Sequence, residues 1–192
     1  MSPLPFGRKT CLTCRRSQDY QWYAEPEDGS VSPDPCSETF KGFAPSDTTE
    51  NKVLAALSAQ LATTGRGIRS YVDWHSYSQL ILTPWGWSCK AEDLPETLPR
   101  MREVGEGVAA AILAEGGYEY TVGPACEVLY FSTGTGRDFH HGAFGANHSW
   151  TLELRPRTAG EGGFVLPPAQ IWPTVKEQWA GQFWLLNEVW DD

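Results

Sequence analysis

Hydrophobic and polar positions change their period several times along the chain, and the changes mark out its elements. Through residues 1 to 46 neither a helical nor a strand period holds, and Pro3, Pro5, Pro26, Pro33, Pro35 and Pro45 punctuate a stretch that reads as loop. "SDTTENKVLAALSAQLATTG" then offers Ser46 or Asp47 as an N-cap, with Glu50 available for a capping box. It sets Val53, Leu54, Leu57 and Leu61 on one face before Gly65, so a helix over 48–63 is expected. "IRSYVDW" and "SQLILTPW" read as strands, the second closed by Pro84. "EDLPETLPRMREVGEGVAAAILAEGG" is an amphipathic helix with Val104, Val108, Ile112 and Leu113 on its apolar stripe and Gly116-Gly117 at its end. "YEYTVG" is a short strand, "GTGRDFHHGAFG" a glycine-rich turn entering a short helix, "SWTLELR" an alternating strand, and "WPTVKEQWAGQFWLLNEVW" a terminal helix. Helices alternate with strands, which predicts an α/β layer.

A length of 192 residues suits one domain with a real core. No window approaches the uninterrupted apolar run of a membrane helix, so no membrane is expected as a partner. A net charge of −9 opposes nucleic-acid binding, because phosphate recognition needs concentrated Lys and Arg. Nine tryptophans and nineteen glycines lean towards a loop-rich α/β or β enzyme rather than a helical bundle. Five cysteines, at 11, 14, 36, 89 and 126, suggest one or two disulfides plus buried thiols. The opening "MSPLPFGRKTCLTCRRS" lacks the apolar core of a secretory signal, so no signal peptide is expected in this chain.

Strand ends are where α/β folds place chemistry, and both His75 and Glu153 fall there. Glu153 alternates with Leu152 and Leu154, so its carboxylate needs either a function or a partner, and Arg155 is the nearest candidate for a salt bridge. His140-His141 and His148 are discounted as a metal set, since adjacent helical side chains diverge by about 100°. Cys11 to Cys14 has the spacing of half a zinc site with no second half. Asn147-His148-Ser149 is an N-glycosylation triplet. The chain has no G-x-S-x-G elbow, phosphate loop, Rossmann glycine fingerprint or H-E-x-x-H.

Taken together, "PCSETFKG" (35–42), "HSYSQLILTPWGW" (75–87), "YFSTGTGRD" (130–138), "TLELRP" (151–156) and "GFVLPPAQIWPTVKEQW" (163–179) resemble the zinc metallocarboxypeptidases of the A/B type. The resemblance runs from residue 33 to the C-terminus. It implies a mixed β-sheet with helices packed on both faces, incomplete on its N-terminal side. Residues 1–32 would then be an atypical or remnant segment, and 33–192 the C-terminal part of a carboxypeptidase domain. By the same resemblance His75 matches a zinc ligand and Glu153 the general base. Ser76 and Tyr77 match residues beside the substrate backbone, Tyr130 the tyrosine that closes over the terminal carboxylate, and Thr151 and Gly86 the pocket wall. Arg137 stands where the family reads the C-terminal side chain, and charge complementarity there favours Glu or Asp. The implied cofactor is zinc, the implied partners are peptide or protein C-termini, and the implied setting is extracellular; the chain is expected to be a monomer.

The sequence also departs from the pattern. The family's H-x-x-E motif, which supplies its other two zinc ligands, does not occur. Where the family carries a carboxylate-binding Asn-Arg-Asn-Trp run, this chain has "DYQW", with Trp22 in register and Asp19-Tyr20 in place of Asn-Arg. Two further readings are therefore carried: a metal-free pseudoenzyme with a peptide-binding cleft, and a fragment without function of its own.

Overall fold

The computed structural model describes residues 20–25 and 30–191. Cys11, Cys14 and Asp19, and most of the predicted remnant segment, lie outside these residues. Helix α1, Thr49–Ala62, starts one residue later than expected. Thr48 is its N-cap, accepting from the Asn51 backbone N–H and side-chain amide. Asp47 instead accepts from the Phe43 N–H, so neither it nor Ser46 makes the cap. Strand β1 is Ser70–Ser76 and β2 is Leu80–Thr83, so His75 lies within a strand rather than beyond it. Helix α2, Leu98–Gly116, stops where Gly117 takes a φ of 73°. Then come β3 (Thr121–Pro124), α3 (Ala125–Val128), α4 (Gly136–Phe144), β4 (His148–Leu154) and α5 (Ile171–Asp191).

The four strands form one sheet in the order β1-β4-β2-β3. β1 lies parallel to β4, β2 parallel to β3, and β2 antiparallel to β4, so the sheet is mixed. On one face Ile81, Trp150 and Leu152 pack with Val104, Val108 and Ile112 of α2 and with Leu185 and Val189 of α5. On the other, Leu80 and Leu82 meet Ala125, Val128 and Leu129, while α4 lies over β1 and β4 and α1 packs on α4. Helices therefore cover both faces. Gly107 and Gly181 let α2 and α5 approach closely: an added Cβ at the first would stand 2.1 Å from the Trp184 ring, and at the second 2.8 Å from Ile112.

Three helices leave apolar positions exposed that their period would bury. Val53, Leu54, Leu57 and Leu61 of α1 are exposed, and Ser58 is the residue that helix buries. Leu113 of α2 is exposed as well, while its stripe-mates Val104, Val108 and Ile112 are fully buried. α5 likewise turns Trp172, Val175, Trp179, Phe183, Leu186 and Trp190 outward. Cys89 and Cys126 form a disulfide; Cys36 is exposed and, among the described residues, has no disulfide partner. Among the described residues no helix is long and apolar enough to cross a membrane.

Candidate active site

The parallel pairing of β1 with β4 sets Tyr71 beside Ser149, Asp73 beside Thr151 and His75 beside Glu153. Strand alternation then puts these six polar side chains on the α4 face, opposite Trp150 and Leu152. Five of them (Tyr71, Asp73, His75, Thr151 and Glu153) line a cavity of about 790 Å³, together with Ser76, Tyr130, Ser132, Thr135, Arg137 and Phe164.

At the mouth, His75 Nε2 lies 3.1 Å from Asp73 Oδ2, and Nδ1 lies 3.8 Å from Glu153 Oε1. The bond to the Asp73 carboxylate raises the His75 pKa above the usual histidine value; burial pulls the other way and does not win. Glu153 is buried at the end of β4. Its expected partner, Arg155, is engaged elsewhere: Nε and Nη2 donate to Glu177 of α5, and Nη1 donates to Gln170. Beyond the last β1–β4 pair the chain turns away from the cleft, so the guanidinium meets α5 instead of the carboxylate two residues before it.

Arg137 forms the floor. It does not turn to solvent: 2% of it is exposed. Nε donates to Asp138 Oδ1 at 2.9 Å, and Asp138 Oδ2 is pinned in turn by the Gly86 N–H at 2.9 Å. Among the described residues its two terminal nitrogens donate to hydroxyls, Nη1 to Thr151 and Nη2 to Ser132 and Thr135, at 3.3 to 3.5 Å. Asp138 thus fixes the fork by one edge while the other edge faces long, weak bonds that a ligand carboxylate can replace. Gly86 is needed as glycine: a Cβ there would stand 2.2 Å from Ser132 Oγ and 2.4 Å from Arg137 Nη2.

The sequence-nominated residues thus divide. His75, Ser76, Tyr130, Arg137, Thr151 and Glu153 line one cavity, and Gly86 backs its floor. Tyr77 does not line it; its ring packs edge-on against Phe164. Tyr20, aligned with the family's carboxylate-binding arginine, stacks on Trp85 and lies outside the cleft. Sequence reasoning missed Tyr71, Asp73, Ser132 and Thr135. The first two share the strand period of His75, which was the available signal. Of the discounted histidines, His140 bridges Ser58 and the Gly136 carbonyl, His141 bonds the Ala146 carbonyl beside Trp85, and His148 is buried edge-on against Trp150.

A family model described as zinc carboxypeptidase matches residues 12–181. Metallocarboxypeptidase A of Trichophyton rubrum is 38% identical over 187 residues, covering 97% of this chain and 42% of that protein. Carboxypeptidase A2 of Mus musculus is 31% identical over 170 residues, covering 88% of this chain and 38% of that one. Bovine thrombin-activatable fibrinolysis inhibitor, solved in complex with tick carboxypeptidase inhibitor, superposes with a TM-score of 0.80 at 26% identity. It covers 93% of this chain and 56% of its own. Carboxypeptidase A from Helicoverpa armigera gives 0.77 at 25% identity, covering 92% and 41%. The chain spans about two-fifths of the length of these curated relatives.

A catalytic zinc takes three protein ligands and a water. Among the described residues no three His, Cys, Asp or Glu side chains converge to hold a metal: Asp73 and Glu153 lie on opposite nitrogens of the one cleft imidazole. The cleft residues do not fit that ion by themselves. What they present is a buried carboxylate, Glu153, and a guanidinium, Arg137, lining one cavity.

Proposed function

Because the chain belongs to the zinc carboxypeptidase family, we propose that its cleft receives the C-terminal residue of a peptide and serves hydrolysis of the last peptide bond. Glu153 is the base. Its carboxylate, at the lip of the cavity, takes a proton from the attacking water and returns it to the leaving amine. Tyr130, on the exposed side of the same cavity, closes over the bound terminus. The partners are free peptide C-termini, and the chain acts outside the cell.

Arg137 makes the preferred terminus acidic. The observation that supports this is the half-used guanidinium at the cavity floor, held by Asp138 on one edge and by hydroxyls on the other. A Glu or Asp side chain exchanges those weak bonds for a charge-assisted pair in a water-poor site.

The test is binding of fluorescent peptides that differ only in the last residue. A Glu terminus is expected to bind roughly tenfold tighter than Leu, about 1.4 kcal/mol, and Arg137→Leu to erase the difference. Equal affinity for both termini in the unmodified chain would reject the acidic preference. For the reaction itself, Glu153→Gln is expected to abolish release of the terminal residue while leaving peptide affinity in place.

A further inference from the structure

Asn147-His148-Ser149 is the one Asn-x-Ser/Thr triplet in the chain, and Asn147 does not line the cleft. Asn147 is exposed in the turn between α4 and β4, just past Gly145, whose φ of 69° carries the chain out of the helix. It borders a second cavity, of about 560 Å³, with Arg66 and Arg69. A Cβ added at Gly145, or at Gly65 on the same rim, would meet no atom within 4 Å, so there is room around the amide. Glu153 is six residues further along β4, so roughly 20 Å of strand separates Asn147 from the base.

A second observation points to the compartment. The Cys89–Cys126 disulfide belongs to an oxidising environment, which for a eukaryotic chain is the secretory lumen. That lumen is also where Asn-x-Ser triplets are glycosylated.

We propose that Asn147 is an N-glycosylation site. In the transfer, the Asn147 amide nitrogen bonds to C1 of an oligosaccharide carried on a polyprenyl pyrophosphate. The C1–O bond to phosphate breaks, the amide proton passes to a base of the transferase, and polyprenyl pyrophosphate leaves. His148 and Ser149 are buried in the finished strand, with Ser149 Oγ donating to the Arg137 carbonyl. The triplet is accessible as an extended segment only before β4 docks, so transfer precedes that step. The outward asparagine then leaves the glycan on the surface, at the sheet end away from the peptide cleft.

The experiment expresses the full chain behind a secretion signal in a eukaryotic host and measures intact mass before and after an amidase that removes N-glycans. Retained and secreted pools are both read, and thiols are alkylated to report the disulfide. The expected result is a mass loss of one oligosaccharide, conversion of Asn147 to Asp in the peptide map, and a single unglycosylated mass for Asn147→Gln. An intact disulfide with unmodified Asn147 in both pools overturns the glycan proposal alone. Free thiols at 89 and 126 together with unmodified Asn147 overturn the compartment assignment with it.

Discussion

His140 sits where three elements meet, and its protonation state follows from its partners. A carbonyl can only accept, so Nδ1 carries the proton towards Gly136, and Nε2 accepts from the Ser58 hydroxyl. The ring also stacks on Tyr71, 3.6 Å away. Burial pushes the His140 and His141 pKa values down. In this range the unfolded chain binds more protons at these two sites, so their contribution to stability is full above the unfolded histidine value, about 6.5, and falls as pH drops below it. His75, with its raised pKa, contributes in the opposite sense. Melting temperatures between about pH 5 and 7 should therefore climb more shallowly in His140→Asn than in the unmodified chain. A steeper climb in the variant would contradict the assignment. At this scale the chemistry was partly legible: the alternation Leu152-Glu153-Leu154 and the resemblance together nominated Glu153 and His75. Of the four missed neighbours, Tyr71 and Asp73 carried only the strand period of His75, which does not say that β4 lies beside them; Ser132 and Thr135 sit in the loop before α4, and no local pattern brings that loop to the sheet.

The buried polar network between β4 and α5 works at the level of elements. Glu177 is fully buried, accepts from Arg155 and Tyr120, and is flanked by Gln178, which donates to the Tyr120 hydroxyl. It joins the end of β4 to the terminal helix. Glu177→Gln leaves the guanidinium buried without its counter-charge and is expected to cost roughly 3–5 kcal/mol by denaturant unfolding. Arg155→Met combined with Glu177→Leu should recover most of that loss. The disulfide is a second inter-element tie, closing a separation of 37 residues between the segment after β2 and α3. Chain-entropy reasoning gives it about 4 kcal/mol, so reduction should lower the urea midpoint without changing the far-ultraviolet spectrum below it. Element type was legible almost throughout, since long amphipathic runs and proline or glycine stops are local signals. Which stripe is buried was not. The apolar face of α1 has the right period, yet the neighbour packed on that helix is α4, which meets it through Ser58 and His140.

For the molecule as a whole, the outward row on α5 dominates solution behaviour. Trp172, Val175, Trp179, Phe183, Leu186 and Trp190 are 50% to 77% exposed along one helix. Contiguous apolar surface of this kind favours association. Polarity-sensitive dye should bind the chain without denaturant, and sedimentation should show concentration-dependent association. Trp179→Lys with Phe183→Glu is expected to suppress both, and unchanged sedimentation would count against the stripe as the cause. The polar face of the sheet has a different consequence, for inherited variation. β4 presents Thr151 and Glu153 to the cleft by the same alternation that seats Trp150 and Leu152 in the core. A one-codon insertion or deletion inside that strand would exchange the two sets at once, so lineages carrying this segment should accumulate substitutions there while its length stays fixed.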